Sequence, residues 1–295
     1  MRRRSARHVG LTARRTPLRL ETLEDRTVPH AVVWTLGADG DFANAAGWTD
    51  QVDGSHHVPG PLDDADANGF ALTSSANQIV NSITNTPNFQ IAGGTFAIEG
   101  AATASEFGGL SVAAGAALSV GGGGAATRIV GGGTEAGAFI VDNGATLEFA
   151  STTAPIHVEP GASFSGPGSV QVTDGDLYVD ANISVSDFRQ SGGRILGGGT
   201  LTLTGFVTWD GGSMEGSGTT AVAAGANVSI FGAIQLNRQL ANGGSILQEA
   251  PVGGTGLLTN LAGGSYTLNY ASFNPSVNNA GRQIAVSRRH ARASS

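Results

Sequence analysis

Gly197 to Gly232 reads GGGTLTLTGFVTWDGGSMEGSGTTAVAAGANVSIFG, and its rhythm decides the fold class. Short runs of alternating apolar and Thr/Ser residues (LTLT, FVTW, TAVAA, NVSIF) are separated by glycine. Alternation at period two with glycine punctuation predicts strands and tight turns, and no run is long enough for a helix.

Variants of the same phrase recur from about residue 93 onward. Val112-Ala-Ala-Gly115-Ala-Ala-Leu118-Ser-Val120 is echoed by Val141-Asp-Asn-Gly144-Ala-Thr-Leu147-Glu-Phe149 and Val158-Glu-Pro-Gly161-Ala-Ser-Phe164. It returns as Val222-Ala-Ala-Gly225-Ala-Asn-Val228-Ser-Ile230 and as Leu261-Ala-Gly-Gly264-Ser-Tyr-Thr-Leu268. A second phrase, Gly-Gly-Thr-apolar-x-apolar, opens at Gly93 and Gly198. Successive marked glycines lie 29, 17, 64 and 39 residues apart, which excludes fixed-period repeats such as leucine-rich ones. A constant strand phrase with variable corners predicts an all-β, right-handed parallel β-helix (a β-solenoid). With roughly 20–25 residues per rung it would make on the order of ten rungs, a rod of roughly 50 Å. An antiparallel β-sandwich pair is the rival, since it uses strands of the same length.

Composition narrows the classes. There are 46 glycines and no cysteine among 295 residues, so disulfides and thiolate chemistry are excluded, and all 16 basic residues are arginine. Eight arginines fall within residues 1–26 and four within 282–292. The stretch 27–281 has only Arg128, Arg189, Arg194 and Arg238 against 20 acidic residues, a balance of −16. Such a surface predicts no nucleic-acid partner, because phosphate binding needs clustered cations. No segment is apolar and long enough for a membrane span.

Residues 1–30 form an Arg-rich arm without an apolar h-region, expected to be disordered or to hold a short helix around Leu18 to Arg26. Leu18-Arg-Leu-Glu-Thr-Leu-Glu-Asp-Arg-Thr-Val-Pro29 resembles the LE-x-LE-x-R leader of large surface and secreted proteins of planctomycete-type bacteria. That resemblance implies an export or sorting leader and an extracellular or cell-surface location. Val33 to Phe70 is similar to the entry segment of autotransporter-passenger-like β-solenoids, through Trp34, Gly37 to Asp41, Phe42, Gly47-Trp48, Pro59 and Asp63 or Asp64 before Ala65. Phe42 stands where tryptophan is commoner. Aromatics crowded here suit a cap over the open apolar end of a first rung, so 31–70 is expected to be a Trp-rich cap on a solenoid of 31–286. Residues 287–295 are expected to be a disordered tail. SRRHARASS departs abruptly from the repeat, which fits a fragment or a reading-frame change near Val286.

Three constellations could carry chemistry. Asp64, Asp66 and Asn68, with Gly69 behind them, match the opening of a calcium loop, while Ser75 occupies the position of the bidentate Glu. The choice there is a loose structural calcium ion or a hydrophilic turn. Asp174, Asp176 and Asp180, with Tyr178 between, would share one face of a strand and resemble the acidic clusters of glycan-cleaving solenoid enzymes. The other reading is a solvated outer face. His56 and His57 beside Asp53 and Asp63 could ligate zinc, but adjacent strand residues point to opposite sides, and the next histidine is His157. The function expected is a non-enzymatic structural stalk or adhesion and display module, meeting extracellular polysaccharide or other surface proteins. The alternative is a glycan-active hydrolase or lyase on Asp174, Asp176 and Asp180.

Overall fold

The computed structural model describes residues 29–100, 103–269, 271–280 and 285–287. The Arg-rich arm through residue 28 and the stretch from 288 lie outside them. Among the described residues the chain is a parallel β-solenoid whose one helical element is the 3-10 turn Ala45–Gly47.

Each turn of the coil lays down three strands, and one turn shows the plan. Ser105–Phe107 lies on the first face, Leu110–Val112 on the second and Ala117–Val120 on the third. The chain then returns to the first face at Ala126–Ile129, directly against Ser105–Phe107. Eleven strands stack this way on the second face, so the rod has eleven rungs there. Beyond the longer first turn, paired residues on adjacent rungs lie 17 to 25 positions apart, which is the length of a turn. All inter-rung pairs are parallel, which excludes the sandwich.

Register makes the core a set of columns. On the third face Phe96, Leu118, Phe139 and Phe164 stack in line, with Phe139 and Phe164 face to face at 5.0 Å. On the second face the inward column runs Ile91, Val112, Glu135, Val158, Val179. Outward neighbours carry Thr, Ser and charge, as period-two alternation requires. Three of the four central arginines bind acids on adjacent rungs: Arg128 between Glu106 and Glu148, Arg189 with Asp210, and Arg194 with Asp176.

Recurring phrases sit at corners, and the corner identity explains their uneven spacing. Gly115 and Gly161 turn the chain from the second face to the third, whereas Gly144 and Gly225 turn it from the third to the first. All four have φ between +79° and +106°, the left-handed region that glycine tolerates. One phrase thus serves two of the three corners, and its copies need not be whole turns apart. In the fifth copy the alignment shifts by one residue. Gly263, not Gly264, takes the positive φ, and Asn260 instead of Leu261 fills the buried place of Val222. Leu261 is exposed.

Gly205 also departs from the punctuation reading. Thr200–Trp209 is one ten-residue strand that bends there without ending, and Ile183–Gln190 below it bends at the matching place. These two strands join the third and first faces into one fourteen-stranded sheet. A side chain at Gly205 would put its Cβ 2.3 Å from the carbonyl oxygen of Ser186, so glycine is there for close rung-to-rung approach.

The aromatic cap forms. Trp34, Phe42 and Trp48 are fully buried and meet edge to face at 5.0–5.1 Å, and Phe42 carries the contact on to Phe96 at 5.1 Å. Gly40 and Gly47 leave room for the Trp34 indole, whose ring lies 2.6 and 2.2 Å from where their Cβ atoms would stand. Trp48–Asp50 adds to His30–Trp34 in the one antiparallel pair among the described strands. It covers the edge that another chain would otherwise extend. Buried Asp50 anchors this strand, accepting from Val52 N–H at 2.7 Å and pairing with His30 at 2.8 Å. The Val52 N–H first, then His30, hold its carboxyl below the usual range.

The last rungs change the column type. Val185, Leu203 and Val222 on the third face are followed by Asn242, Asn260 and Asn279. Asn242 Nδ2 donates to Asn260 Oδ1 at 2.8 Å, and Asn260 Nδ2 donates to Asn279 Oδ1 at 3.1 Å. The three side chains form a stacked asparagine ladder along the rod.

Candidate functional site

The acidic stretch does not lie on one strand. Ser169–Asp174 closes a first-face strand, the chain turns at Gly175 (φ +72°), and Asp176–Val179 begins on the second face. Asp174 therefore stands across a corner from Asp176, and the single shared face is replaced by two. Each carboxylate has its own partner. Asp174 Oδ1 accepts from the Gly175 N–H at 2.8 Å. Asp176 takes Arg194 in a two-pronged pair at 2.7 and 2.5 Å, and Asp180 meets His157 Nδ1 at 2.9 Å. The Asp176 carboxylate raises the Arg194 pKa by hydrogen bonding and charge. Asp176 and Tyr178 face outward while Leu177 and Val179 are buried, as alternation predicted.

Asp64 and Asp66 lie on the strand Asp63–Asp66, not in a loop. Asp64 Oδ1 accepts from Asn81 Nδ2 at 2.6 Å and Ser82 Oγ at 2.5 Å. Asp66 Oδ1 accepts from the Asn68 N–H at 2.8 Å and Asn85 Nδ2 at 2.9 Å, and Asn68 Nδ2 donates to the Trp34 carbonyl at 3.1 Å. The oxygens fasten the cap to the next rung instead of converging on a centre. His56 and His57 diverge. His56 Nδ1 lies 2.6 Å from the Trp48 carbonyl oxygen, and His57 Nε2 lies 3.3 Å from Asp63 Oδ2.

Stacking brings together residues that sequence distance had kept apart. His157 lies directly over Tyr178 one rung on, rings parallel at 4.6 Å and 13°. Glu159 and Asp180 flank the pair, and one donor atom from each of His157, Glu159 and Asp180 falls within 4.8 Å of the others. The signal was a turn of 21 residues, which sets His157 over Tyr178 and leaves Asp180 two residues further along the same rung. It could be used only once the turn length was known.

The second face also carries a shallow trough. An open depression of about 700 Å³ lies over Thr73, Gln90 and Ser111 with Asp39 and Asp41 at its rim, and a neighbouring one of about 480 Å³ continues past Thr134 to His157. Gly109, Gly132 and Gly133 keep its floor low. The outward column Asp41, Thr73, Gln90, Ser111, Thr134, His157, Tyr178 runs along it.

Two ionisable groups are inside the rod. Glu135 is fully buried, with Oε2 accepting from the Val112 N–H at 3.1 Å and Oε1 unpaired, and burial pushes its pKa up to about 8. Arg238 is buried beneath Gly218, donates to the Gly199 carbonyl at 2.9 Å, and has its pKa lowered to about 10 by burial. The repeat phrase masked both, because the alternation that places them inward was assumed to hold apolar residues. No protein-family model, curated protein or solved structure matches this chain.

Proposed function

We propose that the chain is a non-enzymatic extracellular or cell-surface module, a stiff stalk that spaces or displays material outside the cell. The observation that carries this reading is the continuous parallel stacking of the rungs, which persists through the two register shifts at Phe149/Ala150 and Val185/Asp187. From the capped end at His30–Trp34 to Ser276–Asn279, each rung is hydrogen-bonded to the one before it, and aromatic, aliphatic and asparagine columns run through the middle. A rod built from successive nearest-neighbour interfaces resists bending along its length. The outward column Thr73, Gln90, Ser111, Thr134, His157 and Tyr178 on the second face is rich in hydrogen-bonding groups, suited to contact with extracellular polysaccharide or with other surface proteins. The acidic body (−16 over residues 27–281) supports a partner other than nucleic acid. No helix among the described residues is long and apolar enough to cross a membrane.

The test joins shape and place. Small-angle scattering of the purified chain should give an elongated particle whose long axis is roughly 50 Å for the stacked rungs. An epitope inserted at the exposed corner Gly122 should be removed by protease from intact cells. Release of the tag only after lysis would overturn the surface placement. Release of reducing or unsaturated ends from a polysaccharide, lost in Asp176→Asn, would replace the stalk by the glycan-cleaving alternative.

A further inference from the structure

We propose that His157, Glu159 and Asp180 form a binding site for one divalent transition-metal ion of the zinc type. The three side chains offer donor atoms within 4.8 Å of one another, on two adjacent rungs where the second face turns toward the third. The donor set is one imidazole nitrogen and two carboxylates. That mixture suits zinc-type ions, whereas calcium calls for six to eight oxygens. The imidazole separates this cluster from an ordinary acidic patch.

The backbone holds the donors in place before any ion arrives. His157 is central in Ile156–Val158 and stacks on Tyr178, so its ring plane is fixed by the next rung. The Glu159 N–H donates to the Glu135 carbonyl at 2.8 Å, and the Asp180 N–H to the Val158 carbonyl at 3.0 Å. Three successive rungs therefore set the spacing. The 2.9 Å contact between His157 Nδ1 and Asp180 Oδ2 already brings two donors to the separation of a shared coordination shell.

Charge points the same way. Arg194, on the following rung, is engaged by both oxygens of Asp176. Among the described residues no arginine is paired with Glu159 or Asp180, so a cation would meet two carboxylates that no arginine neutralises. His157 and Asp180 are partly exposed, leaving the outer side of the cluster open to solvent and to further ligands.

Calorimetric titration of the full chain with zinc chloride tests the assignment. One ion per chain is expected, with affinity reduced about tenfold or more in His157→Ala and in Glu159→Gln. Cobalt-loaded wild type should show a visible absorption band that His157→Ala loses. The double variant His56→Ala/His57→Ala should keep both signals. Circular dichroism checks that each variant is folded, and if His157→Ala disturbs the stack on Tyr178, Glu159→Gln decides alone. Absence of zinc binding by the wild type, or binding unchanged by Glu159→Gln, overturns the proposal.

Discussion

Replacing Glu135 by glutamine tests the interior of the rod most sharply. The carboxyl stands in a column that otherwise reads Ile91, Val112, Val158 and Val179. Gly133, two residues earlier, gives it space: a Cβ there would lie 2.9 Å from Glu135 Oε1. Burial raises its pKa from 4.5 to about 8. Below pH 4.5 the group is protonated in both folded and unfolded chains and contributes no pH dependence. Between there and about 8 the unfolded chain releases a proton that the folded chain retains, so stability falls as pH rises through that window. The loss accumulated by pH 7 is about 3 kcal/mol. Glu135→Gln has no proton to release and should lack this slope. Urea unfolding followed by circular dichroism at several pH values from 4.5 to 8.5 measures it, and the stability difference between the two proteins cancels titrations elsewhere. That difference should widen in favour of the variant by up to about 1.4 kcal/mol per pH unit. A difference that stays constant with pH would refute the buried, protonated carboxyl.

Other substitutions probe the register, the ladder and the close approaches. Leu203 is fully buried between Val185 and Val222 while Thr202 faces outward, so Leu203→Asp should cost about 3 kcal/mol or more and Thr202→Asp about 0.5 or less. Equal thermal shifts would contradict this register. Asn242→Ala removes donors to Asn260 Oδ1 and to the Ser265 carbonyl, and should cost about 1–3 kcal/mol. Its effect should show as faster hydrogen exchange in Leu257–Asn260, with exchange near Ala117–Val120 unchanged. At Gly131 a methyl group would stand 1.3 Å from the Gly108 carbonyl oxygen. Gly131→Ala should therefore lower the melting temperature clearly, whereas Gly115→Ala meets no neighbour within 4 Å and should cost only the strain of its positive φ.

Much of the fold was legible locally, because strand alternation and corner chemistry are local. Residues such as Leu201 and Leu203 could be placed inward from their spacing alone, and both are buried. The aromatic cap was legible for a related reason, since Trp34, Phe42 and Trp48 crowd into a chain otherwise poor in large side chains. The sequence is ambiguous where a glycine has two possible uses. Gly205 bends a continuous strand and Gly175 ends one, and both look like punctuation in the sequence. Spacing alone puts Asp174 and Asp176 on one face, because the corner between them is a single residue.

The sequence by itself determined that this chain is strands and corners, that most alternating apolar residues turn inward, and that its body is acidic and without thiols. Those properties follow from side-chain period, backbone freedom at glycine, and a count of charges. Only the tertiary structure decided what lies beside what across the rungs: His157 over Tyr178, Glu159 near Asp180, Arg194 on Asp176, Asn242 on Asn260. Lateral neighbours in a coil are set by the length of each turn, here 17 to 25 residues beyond the longer first turn, and every corner loop changes that length independently. A one-residue error in a corner moves an outward side chain to the inside, so contacts between rungs exist only once the whole path of the chain is closed.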